Sequence, residues 1–343
     1  MKSFAALLAA LLLPLTFSAA AQSAPTASYY SHAGHDDVAS GGVKMITINT
    51  PKGRFKVWTK RVGSNPKLAV LLLHGGPGLT HEYFEAFDSY LPAAGIEYIY
   101  YDQLGSAYSD QPKGPGTDAL WTTERFVDEV EQVRQALHLD HSNFCVLGHS
   151  WGGILAMEYA LKYQQHLKCL IISNMVASIP AYNAYAKNVL EPAMDQKQLA
   201  EVKAMEAEHR TDDPRYMQIL NRMHYEKHFL RRPADQWPEP VVRAMSHIDG
   251  HIYTLMQGPS ELGASGVLEH WDRSQDLHKI TVPTLVIAGQ YDTMDPAYMA
   301  QMAKKLPHGQ LLLCKQGSHM SMYDDQQTYF TGLLKFLKGV EAE

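Results

Sequence analysis

NFCVLGHSWGGILAMEYA, residues 143–160, decides how the rest of the chain is read. It runs from an apolar, strand-like segment through a cluster of glycines into a helical spacing. Ser150 stands between Gly148 and Gly152. A sharp strand-to-helix turn would hold that serine in a strained backbone conformation with its oxygen exposed. Neighbouring strands and the helix would then approach so closely that side chains at 148 and 152 would collide, which glycine avoids. The spacing G-x-S-x-G is common, and an ordinary loop can carry it. Its position after a strand and before a helix marks Ser150 as a candidate nucleophile.

Outward from this stretch, short apolar runs recur at 68–74, 96–102, 143–149, 169–174, 283–289 and 310–315. Helical spacing separates them, at 122–138, 152–165 and 325–338 among other places. Such runs predict strands buried on both faces, and their alternation with helices predicts an α/β class with a mostly parallel sheet. Ahead of them, KMITINTPKGRFKVWTKRVG reads as a β-hairpin turning at Pro51-Lys52-Gly53. Between 177 and 268 the strand signal disappears in favour of segments such as QKQLAEVKAMEAEHR. This region is read as an inserted helical cap, a lid over a cleft. Residues 22–176 and 269–343 then form the catalytic core.

A serine hydroxyl is a poor nucleophile until a base takes its proton, and the base needs an orienting carboxylate. After a strand–serine–helix turn of this kind the expected chain order is Ser, acid, His. The run 283–289 ends in GQYDTMDP, which offers Asp292 and Asp295. Asp292 comes sooner after its strand and is the candidate acid. Asp295 precedes Pro296 and suits the cap of a following helix. SNMVAS, after the run 169–174, offers no acid. The last strand leads into KQGSHMSMYDD, and of the 17 histidines His319 alone follows a C-terminal strand on a loop. His319 is therefore the candidate base. HGGPG, residues 74–78, follows an earlier strand and leaves its backbone open to close approach. The backbone N–H groups of Gly76 and Trp151 are proposed as the oxyanion donors, with Gly75 a rival to Gly76. His74 and His149 are read as structural hydrogen-bonders.

HGGPG, YDQLGSAYSD, GHSWGG, GQYD and GSHMSMYDD together resemble the proline iminopeptidase family of α/β-hydrolase fold serine aminopeptidases. The likeness runs from about residue 45 to the C-terminus. It includes the cap stretch HYEKHFLRR…WPEPVVRAM…YTLMQGPSELGASGVLEHWD, similar to the broad-specificity, tricorn-interacting branch. Two places depart from the family pattern. Ala107 stands in a glycine-like place of D-Q-x-G-x-G-x-S, and G-P-N-E-F reads Gly258-Pro259-Ser260-Glu261-Leu262. The resemblance implies release of an N-terminal residue, with proline favoured, from short peptides or aminoacyl amides with a free N-terminus. It also implies that cap glutamates meet the α-ammonium group. Glu261 matches the family motif, and Glu226 in HYEKH is the second candidate. The two rival readings are an esterase, lactonase or amidase using the same three residues, and a non-catalytic binding protein on a hydrolase scaffold.

His224 and His228 would share a helix face, but a zincin needs glutamate directly after the first histidine, where this chain has Tyr225. No metal site and no cofactor are expected. The 343 residues are 45% hydrophobic, enough for a large core, and the net charge of -6 comes without the basic stripe of a nucleic-acid binder. The three cysteines lie in or beside apolar runs, which predicts buried small hydrophobes rather than a disulfide framework, although one pair could form in an oxidising compartment. The N-terminus begins with Lys2, an apolar run from Phe4 to Phe17, and small residues at Ala19 and Ala21. That pattern predicts a signal peptide over residues 1–21, cleaved before Gln22, and a secreted or periplasmic product with no membrane span after cleavage.

Overall fold

The computed structural model describes residues 28–31 and 34–342, so the segment read as a signal peptide lies outside the described residues. The apolar runs form one eight-stranded sheet in the order β1-β2-β4-β3-β5-β6-β7-β8. The strands are β1 Val43–Thr50, β2 Gly53–Val62, β3 Ala69–Leu73, β4 Glu97–Asp102, β5 Phe144–His149, β6 Cys169–Ser173, β7 Thr284–Gly289 and β8 Gly309–Cys314. The hairpin β1–β2 pairs Thr50 with Gly53, and β2 meets β4 antiparallel. From β4 to β8 every pairing is parallel.

Successive strand residues face opposite sides of a sheet, so a strand covered on both faces must be apolar throughout. Leu71 and Leu73 of β3 join one apolar cluster, and Val70 and Leu72 join the other. The first cluster includes Phe126, Val130 and Val133 of α1 (Thr123–Ala136), Ile154 and Leu155 of α2 (Trp151–Tyr163), and Met299 and Met302 of a later helix, Pro296–Lys305. The second includes Phe84, Phe87, and Tyr329, Phe330, Leu333 and Leu337 of the C-terminal helix, Gln326–Ala342. β8 differs from its expectation. It is the edge strand, with no further strand paired beyond it among the described residues, and its residues Gln310 and Leu311 are exposed.

Residues 174–283, between β6 and β7, carry helices and no named strand. These are α3 Ile179–Tyr185, α4 Gln196–Ala207, α5 Pro214–Leu220, α6 Glu239–Ser246 and α7 Gly250–Met256. Between α5 and α6 lies a π-helical segment, Asn221–Phe229. The ends of this insertion are tied together where Ser178 bridges Asp272, Ile179 N–H donates to Trp271 and Arg273 N–H donates to Ala177. After β7 come α8 Pro296–Lys305, α9 Ser321–Asp324 and α10 Gln326–Ala342. Asp295 caps α8 by accepting the Ala297 N–H at 2.8 Å, with Pro296 at the first helical position.

All three cysteines are buried, as their apolar surroundings predict, and Cys314 is free. Cys145 and Cys169 form a disulfide. Neighbouring parallel strands β5 and β6 set them directly opposite, with Cα atoms 4.6 Å apart, inside the range a disulfide can span. Linear spacing hid this proximity.

Candidate active site

Strand β5 ends at His149, and the chain turns through Ser150 into α2. Ser150 has φ 56° and ψ -128°, a conformation L-residues avoid. It is held by its N–H on the Ser173 carbonyl at 3.1 Å and by the Gly153 N–H on its own carbonyl at 2.7 Å. A Cβ at Gly148 would collide with the Gly152 carbonyl, and one at Gly152 with the carbonyls of Leu73 and His74. The obstacles are backbone atoms of packed elements, so neither can move aside cheaply.

Loops after β7 and β8 bring Asp292 and His319 to the same end of the sheet. His319 Nδ1–H donates to Asp292 Oδ1 at 2.8 Å, and both residues are buried. Burial works against the imidazolium, but the Asp292 charge and this hydrogen bond outweigh it and hold the His319 pKa above its usual value. Asp292 is fixed in turn by the Met294 N–H on Oδ1 at 3.1 Å and by Asn174 Nδ2 on Oδ2 at 2.7 Å. Among the described residues His319 Nε2 makes no hydrogen bond, and Ser150 Oγ makes none to it. Catalytic hydrogen bonds commonly tighten only once substrate is bound.

Ser150 and His319 line one cavity of about 380 Å³ with Gly75, Gly76, Leu79 and a group of cap residues. Gly75 N–H is taken by the Tyr83 hydroxyl at 2.8 Å, which leaves Gly76 as the free donor of that loop. Neither the Gly76 nor the Trp151 N–H has an acceptor among the described residues. Two polar chains stiffen this floor. Gln103 donates to the His74 carbonyl at 2.9 Å and accepts the Trp151 indole N–H at 2.9 Å. His149 Nε2–H donates to the His319 carbonyl at 2.8 Å, so its Nδ1 must accept from the Tyr83 hydroxyl at 3.1 Å. Burial keeps both histidines neutral, lowering the pKa of His149 to about 3 and that of His74 to about 4.

The structure separates the two cap glutamates. Glu261 is buried and lines the cavity, its Oε1 accepting from the Tyr253 hydroxyl at 2.8 Å. Its backbone is gripped by the Tyr182 hydroxyl and His224 Nε2–H, both on its carbonyl, at 2.7 and 2.9 Å. Glu226 does not reach the cavity. The π-helical turn buries its neighbours His224 and Tyr225, while Glu226 accepts the Ala234 N–H at 2.9 Å away from the site. The structure therefore does not bring Glu226 together with Ser150 and His319. His224 and His228 each have one ring nitrogen on a backbone carbonyl, and among the described residues no cluster of three or more His, Cys, Asp or Glu could hold a metal.

Asn174 escaped the sequence reading, which searched the end of β6 for an acid. Its side-chain amide joins Asp292 to the Ser318 carbonyl, at 2.7 and 2.9 Å. A polar residue directly after a buried strand is the signal the sequence carries, and the structure gives it φ 54°. Tyr83 carried no such signal. Ala107 adopts φ 33° where the family pattern has glycine.

Comparison with known proteins agrees with this fold. Residues 69–326 match the family described as the alpha/beta hydrolase fold. A proline iminopeptidase of Flavobacterium johnsoniae is 53% identical, over 87% of this chain and 99% of the relative. One from Saccharolobus solfataricus is 34% identical, over 87% and 96%. The crystal structure of a Mycobacterium smegmatis proline iminopeptidase superposes with a TM-score of 0.76 at 26% identity, covering 88% of this chain and 99% of that one. With likeness spanning almost the whole of these relatives and the same fold beneath it, the chain belongs to the proline iminopeptidase family of α/β-hydrolase fold enzymes.

Proposed function

We propose that the protein is an exported serine aminopeptidase that releases the N-terminal residue, proline included, from short peptides. The observation that carries this reading is Glu261, the one carboxylate among the residues lining the cavity shared by Ser150 and His319. A free ammonium loses hydration on entering such a cavity unless a fixed carboxylate meets it. Glu261 supplies that partner, and the otherwise apolar and aromatic lining, including Leu79, Tyr225, Phe229 and Met245, suits a prolyl ring or another apolar side chain.

In this scheme Ser150 Oγ passes its proton to His319 Nε2 and bonds to the first peptide carbonyl carbon. The negative oxygen turns toward the N–H groups of Gly76 and Trp151. As the C–N bond breaks, His319 returns the proton to the leaving amine. Water then repeats the sequence on the acyl-enzyme, and Asp292 holds the imidazole tautomer throughout. The relatives named proline iminopeptidase support the reaction class. Export is supported by the N-terminal pattern and by the Cys145–Cys169 disulfide, which suits an oxidising compartment.

The test is a panel of aminoacyl-naphthylamides run beside their N-acetylated forms and short-chain nitrophenyl esters. Turnover of free aminoacyl substrates, with the acetylated ones poor, is expected. Strong ester hydrolysis without aminoacyl turnover would replace this reading with an esterase. Active soluble protein whose N-terminus is Lys2 or Ser3 would overturn export.

A further inference from the structure

We propose that His228 and Arg231, at the C-terminal end of the cap's π-helical segment, are positioning residues that hold the acid loop and the base loop in register. The inference rests on the Ser150–Asp292–His319 reading. Neither residue lines the cavity, yet both are bonded to the two loops that carry the candidate acid and base.

The base loop hangs on the cap through its backbone. His319 N–H donates to the His228 carbonyl at 2.9 Å, and Met320 N–H donates to the Phe229 carbonyl at 2.8 Å. Ser318 Oγ–H adds a second bond to the Phe229 carbonyl at 2.8 Å. The His319 ring lies 5.6 Å, centroid to centroid, from the ring of Phe229.

The acid loop hangs on the same few residues through side chains. His228 Nδ1–H donates to the carbonyl of Tyr291, the residue before Asp292, at 2.9 Å. The Arg231 guanidinium covers the Tyr291 ring, 3.6 Å from its centroid. Arg231 Nη1 donates to the Gln316 carbonyl at 3.0 Å, and its backbone N–H donates to Asp324 at 3.1 Å. One short run of cap chain thus touches both loops. Asn174 joins the same two loops through Asp292 and the Ser318 carbonyl.

The bracket has a second end. Four residues before His228, the same π-helical segment donates from His224 Nε2–H to the Glu261 carbonyl. The element that fixes the base therefore also fixes the carboxylate proposed to receive the ammonium. π-Helical turns are uncommon and tend to occur where side chains must be aimed at a functional site.

The experiment pairs His228→Phe, which removes the donor and keeps a ring, with His228→Asn, which keeps a donor near the Nδ1 position. Each is assayed for kcat and KM on an aminoacyl-naphthylamide and on a small neutral ester, with a thermal melt as the measure of folding. Displacing a base by a fraction of an ångström costs turnover rather than binding, so His228→Phe should lower kcat about 10- to 100-fold on both substrates with KM little changed. His228→Asn should recover most of that loss. Arg231→Met, on the outer side, should lower kcat in the same pattern and decides the matter if His228→Phe does not fold. Wild-type kcat in folded His228→Phe or folded Arg231→Met, equal losses in His228→Phe and His228→Asn, or a loss confined to KM would overturn the bracket. His319→Ala, run alongside, separates this from failure of the underlying reading: if it remains active, the choice of base is wrong.

Discussion

Replacing Glu261 with glutamine removes a charge while leaving almost every atom of the site where it is. The Tyr253 hydroxyl donates to Oε1 at 2.8 Å, and the glutamine oxygen can keep that bond. On the other side, the Tyr182 hydroxyl spends its proton on the Glu261 backbone carbonyl at 2.7 Å and lies 3.4 Å from Oε2. A glutamine NH2 there can donate to the tyrosine oxygen, so no buried group is orphaned and stability should change by less than about 1 kcal/mol. Substrate tells the two residues apart. Loss of one partner from a desolvated charge pair costs about 2–5 kcal/mol, of which a neutral acceptor returns roughly 0.5–1.5. The net of about 1.5–3.5 kcal/mol corresponds to a fall of about 10- to 400-fold in kcat/KM for aminoacyl-naphthylamides. Small neutral esters should lose little, since they carry no ammonium. Equal losses on both substrate types would make Glu261 a support for the cap and move ammonium recognition elsewhere. No loss on either would remove it from the site altogether.

Ser150→Ala and His319→Ala should each lower kcat by several orders of magnitude without shifting the thermal melt, since the three residues act as a unit; wild-type-like turnover in either purified variant would remove the assignment. Replacing Cys145 and Cys169 together by alanine should lower the unfolding free energy in urea by about 3 kcal/mol, as the entropy of closing a loop across a separation of 24 residues predicts, and an unchanged midpoint would refute that role. His74, His149 and His224 all have pKa values lowered by burial, to about 4, 3 and 3. The unfolded chain binds their protons first, so their contribution to stability is intact above about pH 6.5 and falls by at most about 1.4 kcal/mol per pH unit for each as the pH drops toward those values. His319, shifted upward, works in the opposite direction but is outnumbered. Urea midpoints should therefore decline between pH 7 and pH 5, before most carboxylates titrate, and a flat profile would show that these rings are hydrated.

Local chemistry made much of this architecture legible. Strands buried on both faces must be apolar throughout, and such runs mark β3 to β7, and the part-exposed edge strand β8 as well, to within two residues. The glycines around Ser150 announce close backbone approach, which the carbonyls of Leu73 and Gly152 realise. Asp292 and His319 were found because each follows its own strand, and one hydrogen bond joins them across 27 positions of sequence. What stayed hidden depends on winding and on pairings between distant segments. Glu226 and His224 are two residues apart, and only the wider π turn decides which faces inward. The Cys145–Cys169 pair, Tyr83 and Asn174 act through neighbours that sheet order supplies and linear spacing does not.

The π winding of Asn221–Phe229 also gives the cap something like a reading frame. Each residue of an ordinary α-helix advances the chain by about 100°. Deleting one residue while the wide turns keep their winding would rotate everything downstream by a comparable angle. His228, Phe229 and Arg231 would swing off the loops beneath them while Tyr216, on α5 upstream, kept its place beside the cavity. Length changes elsewhere in the cap alter its outline. Here a change of one residue would disconnect it from the chemistry.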